Sequence, residues 1–230
     1  MQRNLLTMAR LAAVGAVCAL GISACGSSSG GGGTGSLSGK VAGTTFAVAS
    51  EIAIAGPVVS SCSVGGGTTA GGGTFDAGET CSSGGQAIAV LLTNRSDATC
   101  SLVLRDIATK TGVRYANFDD LELVVASDSA NLATGAYSVV GSLGSQGATS
   151  GATAFFKTTT STCVEGVNAQ ATSGSITLSQ VSPTNVSGTY EVTFGTQGSF
   201  TGSFDVSICD LPDGGLGAQP GDGGLPACQP

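Results

Sequence analysis

Short stretches in which apolar and polar residues alternate dominate the chain between residues 37 and 209. Alternation with period two predicts half-buried strands, and apolar residues nowhere recur at helical spacing for more than about two turns. The absence of strand–helix alternation predicts an all-β fold, an antiparallel β-sandwich of the Ig-like or jelly-roll-like kind. The predicted strands span residues 39–49, 51–59, 86–93, 99–107, 120–126, 136–141, 152–158, 175–181, 188–194 and 199–209.

The clearest pattern predicts a hairpin near the C-terminus. Tyr190, Val192 and Phe194 alternate with polar residues, residues 195–198 predict a turn, and the alternation resumes at residue 199. One face of this hairpin should lie on the core and the other in water. Gly202 stands where the alternation expects a large residue, which predicts a bulge or the close approach of another backbone.

The first 24 residues have the pattern of an export signal. Arg3 and Arg10 make a basic start, and the apolar run 11–20 is too short to span a bilayer as a stable helix. Residues 22–25, Ile-Ser-Ala-Cys, look like the bacterial lipobox. An ordinary cleaved signal peptide is the alternative interpretation.

The lipobox resemblance implies that Cys25 is joined to diacylglycerol and that the peptide is cut just before it. The new amino terminus would then be acylated. Several acyl chains hold a protein stably on a membrane, whereas a single chain does not. Residue 26 is Gly rather than Asp, and Asp there resembles an inner-membrane retention signal. We therefore expect an exported protein that is lipid-anchored to the outer membrane, on its periplasmic or its cell-surface face.

Composition divides the chain into four parts. Residues 1–24 form the predicted lipoprotein signal peptide, and residues 25–36, almost all Gly and Ser, predict a flexible tether. Residues 37–209 are long enough for one sandwich domain. Residues 210–230 predict a flexible, acidic tail rich in Gly and Pro.

Charge and composition exclude several function classes. The chain has no His, which removes Ser-His-Asp and Cys-His catalytic sites and imidazole-ligated metal centres. Its net charge of −7 argues against a nucleic-acid partner, because binding to phosphate needs a cationic face. No cofactor is predicted.

Six cysteines remain in the predicted mature domain and tail once Cys18 leaves with the signal peptide and Cys25 is lipidated. An even number in an exported chain predicts disulfides, whereas a zinc site is disfavoured because there is no CxxC and no His. Fifteen pairings are open. Loop closure favours Cys62 with Cys81, Cys209 with Cys228, and Cys100 with Cys163.

Carboxylates are the remaining candidates for catalysis. Asp119 and Asp120 follow Asn117-Phe118 and are interpreted as the polar turn before the next strand, with Glu122 close by. A hydrolase that uses carboxylates alone would need two of them in one cleft. The candidates are Asp97, Asp106, Asp119, Asp120, Glu122 and Glu165.

Hydroxyl side chains are dense in residues 158–162, Thr-Thr-Thr-Ser-Thr. We expect this segment to be an exposed strand end or loop. A hydroxyl face that binds ice or glycan would need such ladders on several strands, and only this segment is dense in hydroxyls.

The body of the chain resembles an uncharacterised group of exported lipoproteins of the myxobacterial type. The similar segments are structural in character, and the resemblance implies no catalytic or binding residues. They are GKVAGTTF at 39–46, ATC at 98–100, and SGTYEVTF at 187–194 leading to TGSFDVSIC at 201–209.

Together these observations predict a lipid-anchored envelope lipoprotein whose disulfide-stapled sandwich is a binding or structural module and not an enzyme. The expected partners are the membrane, through the lipid anchor, and an envelope protein or polysaccharide. The alternative is a carbohydrate-active hydrolase that uses only carboxylates.

Overall fold

A computed structural model describes residues 35–63, 80–102, 114–141, 143, 150–209 and 228–229. These residues are almost entirely β-structure. The strands are β1 (Ser36–Val41), β2 (Ser50–Ser63), β3 (Thr80–Thr93), β4 (Arg114–Tyr115), β5 (Asp119–Ser127), β6 (Gly135–Ser138), β7 (Gly151–Thr159), β8 (Glu165–Gln170), β9 (Ser173–Val181), β10 (Asn185–Thr193), β11 (Gly198–Ser207) and β12 (Cys228–Gln229).

Two five-stranded antiparallel sheets pack on each other, which confirms the predicted all-β sandwich. The first sheet has the order β1-β11-β10-β9-β6 and the second the order β2-β3-β5-β7-β8. Isolated bridges join the two sheets where Ala53 meets Ile208 and where Val139 meets Ala152. Strands β4 and β12 form a separate parallel pair.

Aromatic rings from both sheets meet at the centre of the core. Phe156 on β7 and Phe200 on β11 are fully buried, and their ring centroids lie 5.0 Å apart in an edge-to-face arrangement. Phe46 and Phe194 pack against the same pair. Such pairs add to the stabilisation that burial of their area already provides.

A second, smaller cluster covers the outer face of the second sheet. Ile52 on β2 packs there with Ala98 and Cys209, and all three are buried. Residues 100–102 are helical, so the strand predicted at 99–107 is wrong for these residues. The remainder of that prediction lies outside the described residues. The alternating pattern does not decide the conformation here, because Cys100 is bonded to Cys209 and packs against the cluster on the second sheet.

The predicted C-terminal hairpin is confirmed. β10 and β11 pair in continuous antiparallel register around a turn at Gly195–Gln197. A Cβ atom at Gly202 would collide with the carbonyl oxygen of Ser36 and the hydroxyl of Tyr190. Of the two explanations for this glycine, close approach of another backbone is therefore the correct one.

Other element boundaries differ from the prediction. β1 ends at Val41, because Ala42 and Gly43 have positive φ angles of 52° and 78° and form a turn. β8, at one edge of the second sheet, was not predicted, since its apolar positions are only Val167 and Ala169. The glycine-rich residues 65–67 and 71–73 lie outside the described residues.

Candidate functional site

The outer face of the first sheet carries an array of short hydroxyl side chains, here called the hydroxyl face. It consists of the outward-pointing residues of five strands, and it is dominated by Ser and Thr because the alternate residues point into the core. Lys40, Ala136, Gln180, Asn185, Glu191 and Asp205 are the exceptions. The hydroxyl residues are Ser36, Ser38, Ser138, Ser173, Ser175, Thr177, Ser179, Ser187, Thr189, Thr193, Ser199, Thr201, Ser203 and Ser207.

Strand register aligns these residues into rows across the sheet. One row runs through Ser38, Thr201, Glu191, Ser175 and Ser138. The adjacent row runs through Ser36, Ser203, Thr189, Thr177 and Ala136. Neighbouring residues in a row are about 4.8 Å apart, and successive rows are about 6.7 Å apart along the strands.

Some of these hydroxyls bond to each other across strands. The hydroxyl oxygens of Ser36 and Ser203 are 2.9 Å apart, and those of Ser179 and Ser187 are 3.0 Å apart. Thr189 and Thr201 lie in the middle of the array and are exposed. The array therefore offers both donors and acceptors to a ligand, since each hydroxyl can act as either.

Residues 158–162 are the segment in which hydroxyls are dense in the sequence, but the larger hydroxyl array lies elsewhere, on the first sheet. The hydroxyl face draws one side chain at a time from five separate strands, so no single segment looks dense. Hydroxyls of the predicted ladder instead serve local structure, because Thr158 accepts a hydrogen bond from the Val167 N–H at 2.8 Å and Thr160 accepts one from the Val164 N–H at 3.1 Å.

Three candidate carboxylates lie on β5. Asp119 and Asp120 are its first two residues, so the interpretation of this pair as a turn was wrong. The turn lies just before them, at Asn117, whose φ angle is 51°. The side-chain amide of Asn94 donates to Asp119 Oδ2 at 3.3 Å. Glu122 forms an ion pair with Lys157 at 3.8 Å.

Asp120 is the most perturbed of these carboxyls. It is 5% exposed, and burial raises its pKa to about 7. The nearby negative charges of Glu122 and Asp119 also raise the pKa, whereas the positive charge of Lys157 lowers it. Asp120 and Glu122 share one face of the strand because they are two residues apart, but burial keeps Asp120 from presenting its carboxyl to solvent.

The other candidate carboxylates do not join this group. Asp97 is exposed and accepts a hydrogen bond from Arg95 Nε at 2.8 Å, which lowers the pKa of Asp97. Glu165 is exposed and accepts a hydrogen bond from Asn168. Asp106 lies outside the described residues. Among the described residues, no group of three or more His, Cys, Asp or Glu side chains could hold a metal ion.

Sequence reasoning did not identify Glu51, a buried carboxyl beneath the start of β1. Glu51 is 2% exposed, and its Oε2 accepts a hydrogen bond from the Asp205 N–H at 3.3 Å. Burial raises its pKa, and backbone N–H groups of Asp205 and Gly35 oppose that change. Burial and the Glu51 charge also raise the pKa of Tyr190, whose hydroxyl donates to the carbonyl of Ser36 at 2.9 Å.

The cysteines pair differently from the sequence-based pairing. Cys100 and Cys209 form a disulfide with a Cα–Cα distance of 5.5 Å, so the predicted pairs of Cys209 with Cys228 and of Cys100 with Cys163 are wrong. Cys163 is also disulfide-bonded. Cys62 and Cys81 have their Cα atoms paired in the β2–β3 ladder. Cys25 lies outside the described residues.

Comparison with protein families, with curated proteins and with solved structures finds no match for the chain. Within the described ranges, no helix is long and apolar enough to cross a membrane.

Proposed function

We propose that this protein is a cell-envelope lipoprotein, anchored to the outer membrane through Cys25, whose β-sandwich is a non-enzymatic binding module. The export signal, the lipobox-like residues 22–25 and the Gly/Ser segment that follows support the anchor. The sandwich begins at the end of that segment, because β1 begins at Ser36. A tether and a folded module therefore follow each other in the order that an anchored binding protein needs.

The hydroxyl face is the observation that carries the binding role. Soluble domains usually cover their exposed strand positions with Lys, Arg, Glu and Asp, which make up about 25% of an average chain. Here charged residues make up 10% of the sequence, and short hydroxyls occupy most outward positions of five strands. A surface of this kind favours a ligand that is itself rich in hydrogen-bonding groups.

A carboxylate-only hydrolase is the second candidate, and Asp120 is the observation that favours it. A carboxyl with a pKa of about 7 could act as a general acid near neutral pH. Its neighbours argue against this role, since Glu122 is engaged by Lys157 and Asp120 is buried. The binding module remains the better supported proposal.

The anchor is tested by labelling growing cells with a radioactive or clickable palmitate analogue and separating their membranes. The wild-type protein should carry the label and fractionate with the outer membrane. Cys25→Ala should lose the label and leave the precursor uncut or the protein soluble. Cys18→Ala is the matched control, because it removes a thiol only seven residues away and should change neither result. Unchanged labelling and processing of Cys25→Ala would refute the anchor.

A further inference from the structure

We infer that the hydroxyl face binds a neutral, polyhydroxylated polymer, that is, an uncharged polysaccharide of the cell envelope. This inference rests on the proposed function and names the ligand class of the proposed binding module. It stands on the composition of the face, its register and its charge distribution.

The charge on the face favours an uncharged ligand. Lys40 is at the end of β1, Glu191 lies in the middle of β10, and Asp205 lies near the end of β11. These three charges are of mixed sign and separated by hydroxyl residues. An anionic polymer would need a cationic patch, and a cationic ligand would need clustered carboxylates. Neither pattern is present on the described strands.

The chemistry of the face also disfavours a protein partner. Protein interfaces depend on buried aromatic, Met and Arg anchors, with an apolar centre. Every outward residue of β9, β10 and β11 is polar, and the aromatic residues of these strands point into the core. Burying this face against another protein would therefore remove little apolar surface from water.

Order in the array compensates for the weakness of each hydroxyl. A single hydrogen bond to a hydroxyl contributes little net free energy, because water is displaced from both groups. Ser and Thr side chains lose little rotamer entropy on binding, and β-branched Thr is already restricted at χ1. The strands that carry them are fixed from below by buried residues such as Tyr190, Val192, Phe200 and Phe204. A rigid array is thus suited to a ligand that repeats the same contact many times.

The repeat of the array matches an extended chain of sugar units. Hydroxyls recur about every 4.8 Å across the strands, a step on the order of the length of one sugar unit in an extended polysaccharide. The rows containing Thr201 and Thr189 each cross all five strands and have a hydroxyl residue at four of the five positions. A polymer lying along a row can contact a hydroxyl on four strands, and many anchored copies on one cell would add avidity.

The test measures binding of the purified full-length protein to insoluble polysaccharides by pull-down. Cellulose, chitin and starch granules are the neutral probes, and alginate beads are the anionic probe. Wild-type protein should bind at least one neutral probe and not the anionic one. The variant T177V/T189V/T201V removes three central hydroxyls while keeping β-branched shapes, and its binding should weaken at least about tenfold. Its circular dichroism and unfolding midpoint should match wild type.

Two further variants complete the design. T162V/T196V removes exposed hydroxyls outside the face and should bind like wild type. Glu165→Gln removes an exposed charge on β8, in the second sheet and outside the face, so neutral-polymer binding should be retained. No binding to any neutral probe, equal binding by the T177V/T189V/T201V variant, or preference for alginate would overturn the inference. Binding of the protein to ice crystals in place of polysaccharide would also overturn it. Membrane fractionation of the same variants reports on the anchor separately, since none of them changes Cys25.

A different observation carries a second inference, about the remaining disulfides. Cys62 and Cys81 are directly opposite each other in the antiparallel β2–β3 ladder. Opposite residues in such a ladder have Cα atoms about 4.5 to 5.5 Å apart, which lies within the range that a disulfide bridges. We propose that these two cysteines are bonded to each other.

Elimination then assigns the last bridge. Cys163 is disulfide-bonded, and Cys100 is bonded to Cys209. If Cys62 and Cys81 are bonded to each other as proposed, Cys228 is the cysteine of the predicted mature domain and tail that is left for Cys163. The fold places them in one region: Cys228 pairs with Arg114 on β4, and the next residue, Tyr115, accepts a hydrogen bond from Thr159. Cys163 follows Thr160 in the tight turn after β7, and its N–H donates to the Thr160 carbonyl at 3.0 Å.

If the mature chain begins at Cys25 as proposed, these pairings leave Cys25 as its one unpaired cysteine. Lipidation requires such a free thiol. The test is proteolysis without reduction, with free thiols blocked first, followed by mass spectrometry. Linked peptides should join Cys62 to Cys81 and Cys163 to Cys228, in addition to Cys100 and Cys209. A link from Cys62 to Cys163 or Cys228, or a blocked free thiol at any of these six positions, would overturn the assignment.

Discussion

Removing the Cys100–Cys209 disulfide should cost a large part of the stability of the domain. The bond closes a loop of 109 residues. In the chain-entropy description, a loop of that length restricts the unfolded chain by about 4.8 kcal/mol at 25 °C. This value is an upper bound, because Cys163 lies within the loop and its own disulfide already restricts the unfolded chain. We therefore expect the double variant C100A/C209A to lose about 2 to 5 kcal/mol of unfolding free energy.

Urea denaturation followed by far-UV circular dichroism measures this loss without added reductant. A domain stability of about 5 to 15 kcal/mol means that the loss should shift the midpoint markedly. Ser101→Ala is the control, since Ser101 is exposed beside Cys100 and its replacement should stay within about 0.5 kcal/mol of wild type. A loss below about 1 kcal/mol in C100A/C209A would refute the argument that this bond restrains the unfolded chain.

Three other substitutions test the buried groups. Burial raises the pKa of Asp120, so this carboxyl favours the folded state at low pH and loses that contribution between about pH 4 and 7. Asp120→Asn does not titrate, so its stability relative to wild type should rise over this range, by at most about 1.4 kcal/mol per pH unit. A stability difference that stays constant with pH would contradict this. Burial likewise raises the pKa of Glu51, so the free energy of unfolding of Glu51→Gln should be higher relative to wild type at pH 8 than at pH 4. Urea midpoints of both proteins at the two pH values measure this difference. The opposite trend would refute the reasoning. Phe200→Ala should cost about 3 to 5 kcal/mol in the same denaturation assay, since the ring is fully buried among three other Phe rings; a cost below about 1 kcal/mol would show that the core tolerates its loss.

Much of the fold follows from local alternation, because each strand has one face on the core. The hairpin of β10 and β11 could be predicted because Val192, Phe200 and Phe204 mark the inner positions and glycines mark the turn. Gly202 could also be interpreted, since a gap in an otherwise regular pattern requires a neighbour to fill it. In the structure the neighbours are the Ser36 backbone and the Tyr190 hydroxyl.

Segments whose conformation depends on distant partners could not be predicted in this way. Residues 100–102 belong to a stretch that alternates like a strand, yet they are helical and are held to β2 by Ala98 and by the bond of Cys100 to Cys209. The buried state of Glu51 depends on the approach of Asp205 from the other sheet. Long-range pairing decides both cases, and local sequence contains no signal for it.

The candidate site shows the same limit more sharply, because the hydroxyl face exists only once strand order is known. Thr177, Thr189 and Thr201 are each an ordinary polar residue of one strand, and only the order β11-β10-β9 and its register make them neighbours. The same alternation that buries Ile176, Tyr190 and other core residues leaves these positions to solvent, where Lys or Glu would serve solubility equally well. Long charged side chains would extend above the sheet and adopt many rotamers, whereas Ser and Thr keep the surface flat and their hydroxyls in fixed positions. The outer face of the first sheet therefore carries few charges, and this is why we propose a flat, uncharged polymer as its ligand.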